Sequence, residues 1–198
     1  MSDVFNVLMV GVGGQGIVLA SDIVAEAAAL AGLDAKKSEI HGMSRRGGPV
    51  FSHVRFGERV YAPVIDLGQA HVILAMEPME LLRWSAWARP DAAACYLAEP
   101  ILPVGVDEYP DGLDAEIDRL FARVVRVELG EIRRTVPLKV RNTALLGAAS
   151  VFFPLEPLYV QQALEALSPR GTYEANQAAF DIGRGLAEQQ LSGVSHVE

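Results

Sequence analysis

Two stretches of this sequence carry residue types at spacings suited to chemistry. The first is Val10-Gly11-Val12-Gly13-Gly14-Gln15-Gly16, a glycine turn with Gly11, Gly13 and Gly16 in the three glycine positions of a dinucleotide-type fingerprint. Glycines there allow a tight turn and a close backbone approach to a ligand. A helix starting beyond the turn offers free N–H groups and partial positive charge to a phosphate. Gln15 adds a side-chain amide at the mouth of the loop, able to donate or accept. The second stretch is Ser38-Glu39-Ile40-His41-Gly42-Met43-Ser44-Arg45-Arg46-Gly47-Gly48. Arginines beside glycines make an anion-binding or docking loop, because guanidinium grips phosphate or carboxylate with two parallel hydrogen bonds. His53 and Arg55 could extend it.

Each feature also has a purely structural reading. A glycine turn is how a chain passes tightly from strand to helix. Arg45 and Arg46 can be solvated or paired with surface carboxylates. His41 and His53 read as hydrogen-bonded structural histidines, and Ser44 lacks the G-x-S-x-G setting of a nucleophile. The acidic residue expected about 20 positions after a dinucleotide turn could be Glu39, with Lys36 and Lys37 just before it.

The elements that must hold these loops alternate. Residues 5–10 form a β-rich apolar run, and residues 17–31 carry apolar residues at helical spacing. Residues 35–40 are expected to be the next strand, so the arginine loop should emerge at the same sheet edge as the glycine turn. Residues 50–56 alternate, with Val50, Ser52 and Val54 facing one way and Phe51, His53 and Arg55 the other. A turn at 57–59 and a returning strand at 60–62 would complete an inserted β-hairpin around residues 49–62. Strands are further expected at 71–76, 92–97 and 124–129, and helices at 77–87, 113–122, 141–153, 157–167 and 173–190. The expected fold is α/β, a Rossmann-like doubly wound and mostly parallel sheet with C-terminal helices, in a single domain over residues 1–198.

Composition removes several function classes. A net charge of −8 disfavours general nucleic-acid binding, whose affinity comes largely from phosphate neutralisation. The apolar runs are too short or interrupted for a membrane span. Asp3 and the absence of early Lys or Arg speak against a secretory leader, so a cytoplasmic location is expected. Cys95 is the only cysteine, whereas an iron–sulfur cluster takes about four thiolates. No metal site is expected, and any redox centre must sit on another chain.

In order along the chain, Gly11-Val12-Gly13-Gly14-Gln15-Gly16, His41-Gly42-Met43-Ser44, Arg46-Gly47-Gly48-Pro49-Val50 and Ser52-His53-Val54-Arg55-Phe56 resemble the gamma subunit or domain of pyruvate/2-oxoisovalerate:ferredoxin oxidoreductases. Ala75-Met76-Glu77-Pro78, Asn142-Thr143-Ala144-Leu145-Leu146-Gly147-Ala148 and Asn176-Gln177-Ala178-Ala179-Phe180 continue the resemblance to the C-terminal region. The His-Gly-Met-Ser form is most similar to the beta subunit of the indolepyruvate type. Arg45 departs from the glutamine of that pattern, which leaves its side chain without an assigned role. The resemblance implies a complex that oxidatively decarboxylates a 2-oxoacid, here an aryl pyruvate such as indolepyruvate, to an acyl-coenzyme A and passes electrons to ferredoxin. It implies that thiamine diphosphate, Mg2+ and 4Fe–4S clusters reside on a larger partner subunit, with coenzyme A shared between the two. Gly11, Gly13, Gly14, Gln15, Gly16, His41, Ser44, Arg46, Gly47 and Gly48 are then the candidate binding or subunit-docking residues, with no catalytic residue on this chain. Two other classes stay open: a self-sufficient NAD(P)- or FAD-dependent oxidoreductase, and a non-catalytic nucleotide-binding scaffold subunit.

Overall fold

A computed structural model describes residues 4–41, 48–102 and 108–194. Strand β1 (Phe5–Val12) leads through the glycine turn into helix α1 (Ile17–Leu30), and β2 (Asp34–His41) and β3 (Pro49–Gly57) follow. Then come β4 (Ala70–Ala75), α2 (Pro78–Arg83), β5 (Ala88–Leu97), α3 (Leu113–Leu120), β6 (Arg123–Val127) and α4 (Leu129–Thr135). Helices α5 (Arg141–Ala149), α6 (Pro157–Leu167) and α7 (Tyr173–Val194) complete the chain. The helical expectation over 77–87 resolves into α2, which starts on Pro78 in its first turn, and a short 3-10 turn at Ser85–Trp87.

The strands form one sheet in the order β2-β3-β1-β4-β5-β6. The pairs β1–β4, β4–β5 and β5–β6 are parallel, and β3 runs antiparallel to both neighbours. The α/β class and the parallel majority agree with the sequence; the sheet is mixed because β3 returns between β2 and β1. Alternation along each central strand feeds two cores. Val7 and Met9, Val72 and Leu74, and Cys95 and Leu97 face α1 and the C-terminal helices. Leu8 and Val10, Ile73 and Ala75, and Ala94 and Tyr96 face the other layer, with Leu81 of α2 and Ile117 of α3.

The inserted hairpin is corrected. Residues 49–57 are a strand, but 60–62 are not. Both edges of β3 are already taken by β1 and β2. The backbone of the following loop is satisfied by side chains instead. Arg55 Nη1 donates to the carbonyls of Ala62 and Val64 at 3.0 and 2.9 Å. Val60 N–H donates to Asp34 Oδ2 at 2.8 Å, and Ile65 N–H to His53 Nδ1 at 3.2 Å. Backbone groups paired in this way need no ladder.

The C-terminal layer depends on two glycines. A Cβ at Gly147 of α5 would lie 2.0 Å from the carbonyl oxygen of Phe180, and one at Gly183 of α7 would lie 1.7 Å from that of Ala144. The two helices therefore touch backbone to backbone. Thr143 Oγ1 donates to Asn176 Oδ1 at 2.6 Å, buried between them. Thr143–Asn176 near the start of α5 and Ser150–Arg184 just past its end step along both helices in the same sense, so the two begin at the same sheet edge.

Replacing Gly183 by alanine should cost about 3 kcal/mol or more, since the methyl would overlap a backbone carbonyl that cannot yield. Gly185→Ala, where a Cβ meets nothing within 4 Å, should be neutral or slightly stabilising. Urea unfolding of the two variants separates the effects.

Candidate functional site

The glycine turn lies at the C-terminal edge of the parallel strands, and most of its close contacts are internal. Gln15 folds inward and is 7% exposed. Its Oε1 accepts from Val12 N–H at 2.6 Å, and its Nε2 donates to the Met76 carbonyl at 3.1 Å. A Cβ on Gly11 would meet Gln15 Oε1 at 2.6 Å and Met76 Cβ at 2.8 Å. Gly11 is thus required so that Gln15 can tie the turn to the end of β4. This corrects the expectation that the Gln15 amide stands at the mouth of the loop. Gly13 N–H donates to the Gly48 carbonyl at 2.9 Å, which joins the turn to the far end of the second loop.

Gly14 and Gly16 have φ of +96° and +83°, a left-handed backbone that side chains rarely adopt. Gly14 has open space around it, whereas a Cβ on Gly16 would strike Asn142 Nδ2 at 2.5 Å. Asn142 is 5% exposed and donates from Nδ2 to the Gly16 carbonyl at 3.2 Å. Gly16 caps α1 without a side-chain hydrogen bond, so the first-turn N–H groups of that helix gain no side-chain partner at the cap.

These groups open into a cavity of about 360 Å³. Gly14, Gln15, Gly16 and Leu19 form one wall. Lys139, Arg141 and Asn142, from the start of α5 and the turn before it, form the second. Pro169, Thr172 and Asn176 at the start of α7 form the third. Asn176 Nδ2 donates to the Thr172 carbonyl at 3.0 Å and to Thr172 Oγ1 at 3.1 Å, which secures the first turn of α7. Lys139 is exposed at the rim. Arg141 is half-buried, with Nη1 3.6 Å from Glu99 Oε2. That distance makes an ion pair without a hydrogen bond, and Glu99 Oε2 is otherwise a buried oxygen with no hydrogen-bond donor among the described residues. Two cations and an uncapped helix start make the cavity suited to an anion.

The second loop is described only at its ends. His41 closes β2 opposite Val50, and Pro49 opens β3 opposite Val12, so the segment leaves and re-enters the sheet beside the glycine turn. Gly48 is buried there. Ser44, Arg46 and Gly47, with Arg45, lie outside the described residues. His53 and Arg55 do not extend that loop. Both are spent on the backbone of residues 62–65, and Arg55 Nε also donates to Asn6 Oδ1 at 2.9 Å. Burial and the neighbouring Arg55 charge hold the His53 imidazole below its ordinary value of 6.5. Glu39 is engaged by Lys37, with Ser21 Oγ at 3.5 Å, so the acidic half of a dinucleotide fingerprint is committed to an ion pair.

Lys139, Arg141 and Thr172 were not read from the sequence as site residues. Asn142 and Asn176 entered only through family resemblance. Their signal is positional: both asparagines stand in the first turn of their helices, where a side-chain amide serves a neighbouring backbone. Cys95 is fully buried in β5, and burial pushes its thiol well above the ordinary range. Among the described residues, no group of three or more His, Cys, Asp or Glu is placed to hold a metal, and no helix is long and apolar enough to cross a membrane.

Residues 6–186 match the family model of pyruvate ferredoxin/flavodoxin oxidoreductases. The indolepyruvate oxidoreductase subunit IorB of Thermococcus kodakarensis is 34% identical over 203 residues, covering 94% of this chain and 98% of that one. The common gamma subunit of pyruvate/ketoisovalerate oxidoreductases from Pyrococcus abyssi is 28% identical over 141 residues, covering 71% of this chain and 73% of its own. In fold, the gamma subunit of a keto/oxoacid ferredoxin oxidoreductase from Geobacter sulfurreducens superposes with a TM-score of 0.72 at 23% identity, over 94% of this chain and 98% of that one. The 2-oxoglutarate:ferredoxin oxidoreductase of Magnetococcus marinus, solved with 2-oxoglutarate, coenzyme A and succinyl-CoA, superposes with a TM-score of 0.75 at 22% identity. It covers 96% of this chain but 32% of its own, so the fold recurs there as one part of a longer polypeptide.

Gln15→Leu should leave Val12 N–H and the Met76 carbonyl unpaired and lower stability by about 2–4 kcal/mol, measured by urea unfolding. For His53 the folded-state value lies below the unfolded one, so the unfolded chain binds the extra proton as pH falls through about 6.5. Stability should be complete above that pH and decline below it. His53→Asn, which keeps an acceptor for Ile65 N–H, should flatten that part of the profile.

Proposed function

Because the chain belongs to the pyruvate ferredoxin/flavodoxin oxidoreductase family, we propose that it serves as the small subunit of a 2-oxoacid:ferredoxin oxidoreductase acting on indolepyruvate or a related aryl pyruvate. The substrate follows the names of its curated relatives. The overall conversion is oxidative decarboxylation of the 2-oxoacid to an acyl-coenzyme A, with ferredoxin as electron acceptor. It requires a carbanion-stabilising cofactor and an electron relay. The residues of this chain do not fit a 4Fe–4S cluster, since the single cysteine is buried within β5 and a cluster takes about four thiolates. Thiamine diphosphate, Mg2+ and the clusters are therefore assigned to a larger partner subunit, and the isolated chain is expected to be inactive. A cytoplasmic setting fits a lone, buried, reduced thiol.

What remains to this chain is binding and closure, and one observation carries that reading. The glycine turn, Lys139 and Arg141 converge on a single cavity at the sheet edge where α/β proteins bind ligands. Lys139, Arg141 and the α1 N-terminus would hold phosphate groups of coenzyme A. Gln15 and Asn142 would hold the turn in shape, and the Arg46 loop beside it would face the partner.

In the intact complex, Lys139→Glu and Arg141→Glu should each raise KM for coenzyme A about 10- to 100-fold, the range of a lost charge-assisted hydrogen bond. Coenzyme A-independent release of CO2 from the 2-oxoacid should be unchanged. Arg46→Glu should act in the same direction or block assembly. Wild-type KM in all three variants, in complexes of normal composition, would remove coenzyme A from this cavity.

A further inference from the structure

The net charge of −8 hides an uneven distribution of cations. Arg133, Arg134, Lys139 and Arg170 are exposed and have no ion pair, hydrogen-bond acceptor or aromatic partner among the described residues. Every other Lys or Arg among those residues is ion-paired, donates to a carbonyl or lies over a ring. The unspent cations gather at one place. Arg133 and Arg134 end α4, which packs on the turn at 138–140 and on α5 and α7. Lys139 lines the cavity, and Arg170 follows Pro169, another of its lining residues. Arg134 precedes the lining residue Leu138 along a stretch of chain at most about 14 Å long.

Part of this pattern has a local cause, since cations in the last turn of α4 offset its dipole. That cause does not reach the others. Lys139 and Arg141 stand just before α5 and at its first residue, where the dipole disfavours a cation and no acidic residue compensates in the first turn. Glu174, in the first turn of α7, is exposed and forms no ion pair with Arg170. Positive potential therefore accumulates at the cavity mouth, and low-dielectric walls focus it inward. A flat basic patch would suit an acidic protein surface. These charges instead flank a concavity of about 360 Å³ that already holds Arg141 and the uncapped start of α1, so the field leads into a space of small-molecule size.

We propose that Arg133, Arg134 and Arg170 steer a small polyanion into the cavity and do not touch it once bound. The inference rests on the assignment of coenzyme A to this cavity, whose phosphates make it such a polyanion. Lys139 and Arg141 are the contacts; the outer three arginines raise the rate of encounter and the local concentration. The two roles respond differently to salt. Contacts inside a cavity are screened little, whereas exposed charges farther from the ligand than a Debye length lose their effect.

The test is kcat/KM for coenzyme A in the intact complex, at saturating 2-oxoacid, as ionic strength is varied. At roughly 10 mM, where the Debye length is about 30 Å, Arg133→Gln/Arg134→Gln/Arg170→Gln should lower it about tenfold, the low end of what steering contributes. Near 1 M, where that length is about 3 Å, the deficit should shrink to less than about twofold. The kcat value should stay that of the wild type, and Arg141→Glu should keep its raised KM at both salt concentrations. Lys36→Gln/Arg83→Gln/Arg119→Gln removes the same charge from ion-paired positions elsewhere and should match the wild type throughout. A deficit undiminished by salt would make the outer arginines contacts. An equal deficit in the second triple variant would reduce the effect to net charge. Loss of the larger subunit from the complex would make the patch a protein-docking surface. Each of these results overturns the proposal. So does a wild-type kcat/KM in the first triple variant while Lys139→Glu and Arg141→Glu raise KM, a result that leaves coenzyme A in the cavity. Wild-type KM in the Lys139 and Arg141 variants removes coenzyme A itself, and the proposal with it.

Discussion

Helices α5 and α7 reach the glycine turn because glycine lets backbones touch. With no side chain at positions 147 and 183, the two helices press carbonyl against Cα. With none at position 16, Asn142 at the head of α5 seats directly on the turn. Two of these contacts thus hold α5 against α7, and the third seats α5 on the first strand–turn–helix unit. The cavity exists because of them, since one wall comes from the N-terminal unit and two from helices more than a hundred residues later in the chain. A bulkier residue at any of these glycines would part the walls before it touched a ligand.

The same contacts give the glycine motif a second meaning. In a dinucleotide-binding fold the glycines admit a pyrophosphate. Here Gly11 admits the side chain of Gln15, Gly16 admits that of Asn142, and open space remains at Gly14. The turn is built first as a packing joint, with its free helix start facing the basic wall of Lys139 and Arg141. That suits a subunit which positions a charged group for chemistry performed elsewhere. The proposed reliance on a partner rests on the single cysteine, which is locked in the central sheet.

Much of this architecture is legible in the sequence, for a physical reason. The apolar runs at β1, β4 and β5 are buried on both faces, and α1 carries its apolar residues at helical spacing, so local pattern and final burial agree. The edge on which the two loops meet was legible too, because β2 shares the direction of β1. The returning strand at 60–62 was misjudged, since alternation cannot reveal that Arg55, His53 and Asp34 satisfy that backbone from the side. Helix α4 was missed because seven residues are too few for periodicity to register. The inward turn of Gln15 and the basic wall of the cavity were invisible for a different reason. Both depend on partners far away in sequence, Met76 for the first and the α5–α7 contact for the second.

The proposed function divides the labour between this chain and a companion that holds the cofactors. Its most direct measurement is affinity isolation of the tagged chain from its native host, with identification of attached polypeptides and assay of the isolate for iron, thiamine diphosphate and 2-oxoacid-dependent ferredoxin reduction. The expected result is a larger subunit carrying iron and thiamine diphosphate, with activity that disappears when this chain is purified away from it. A solitary chain that turns over an aryl pyruvate, or one that never brings down a cofactor-bearing companion, would contradict it.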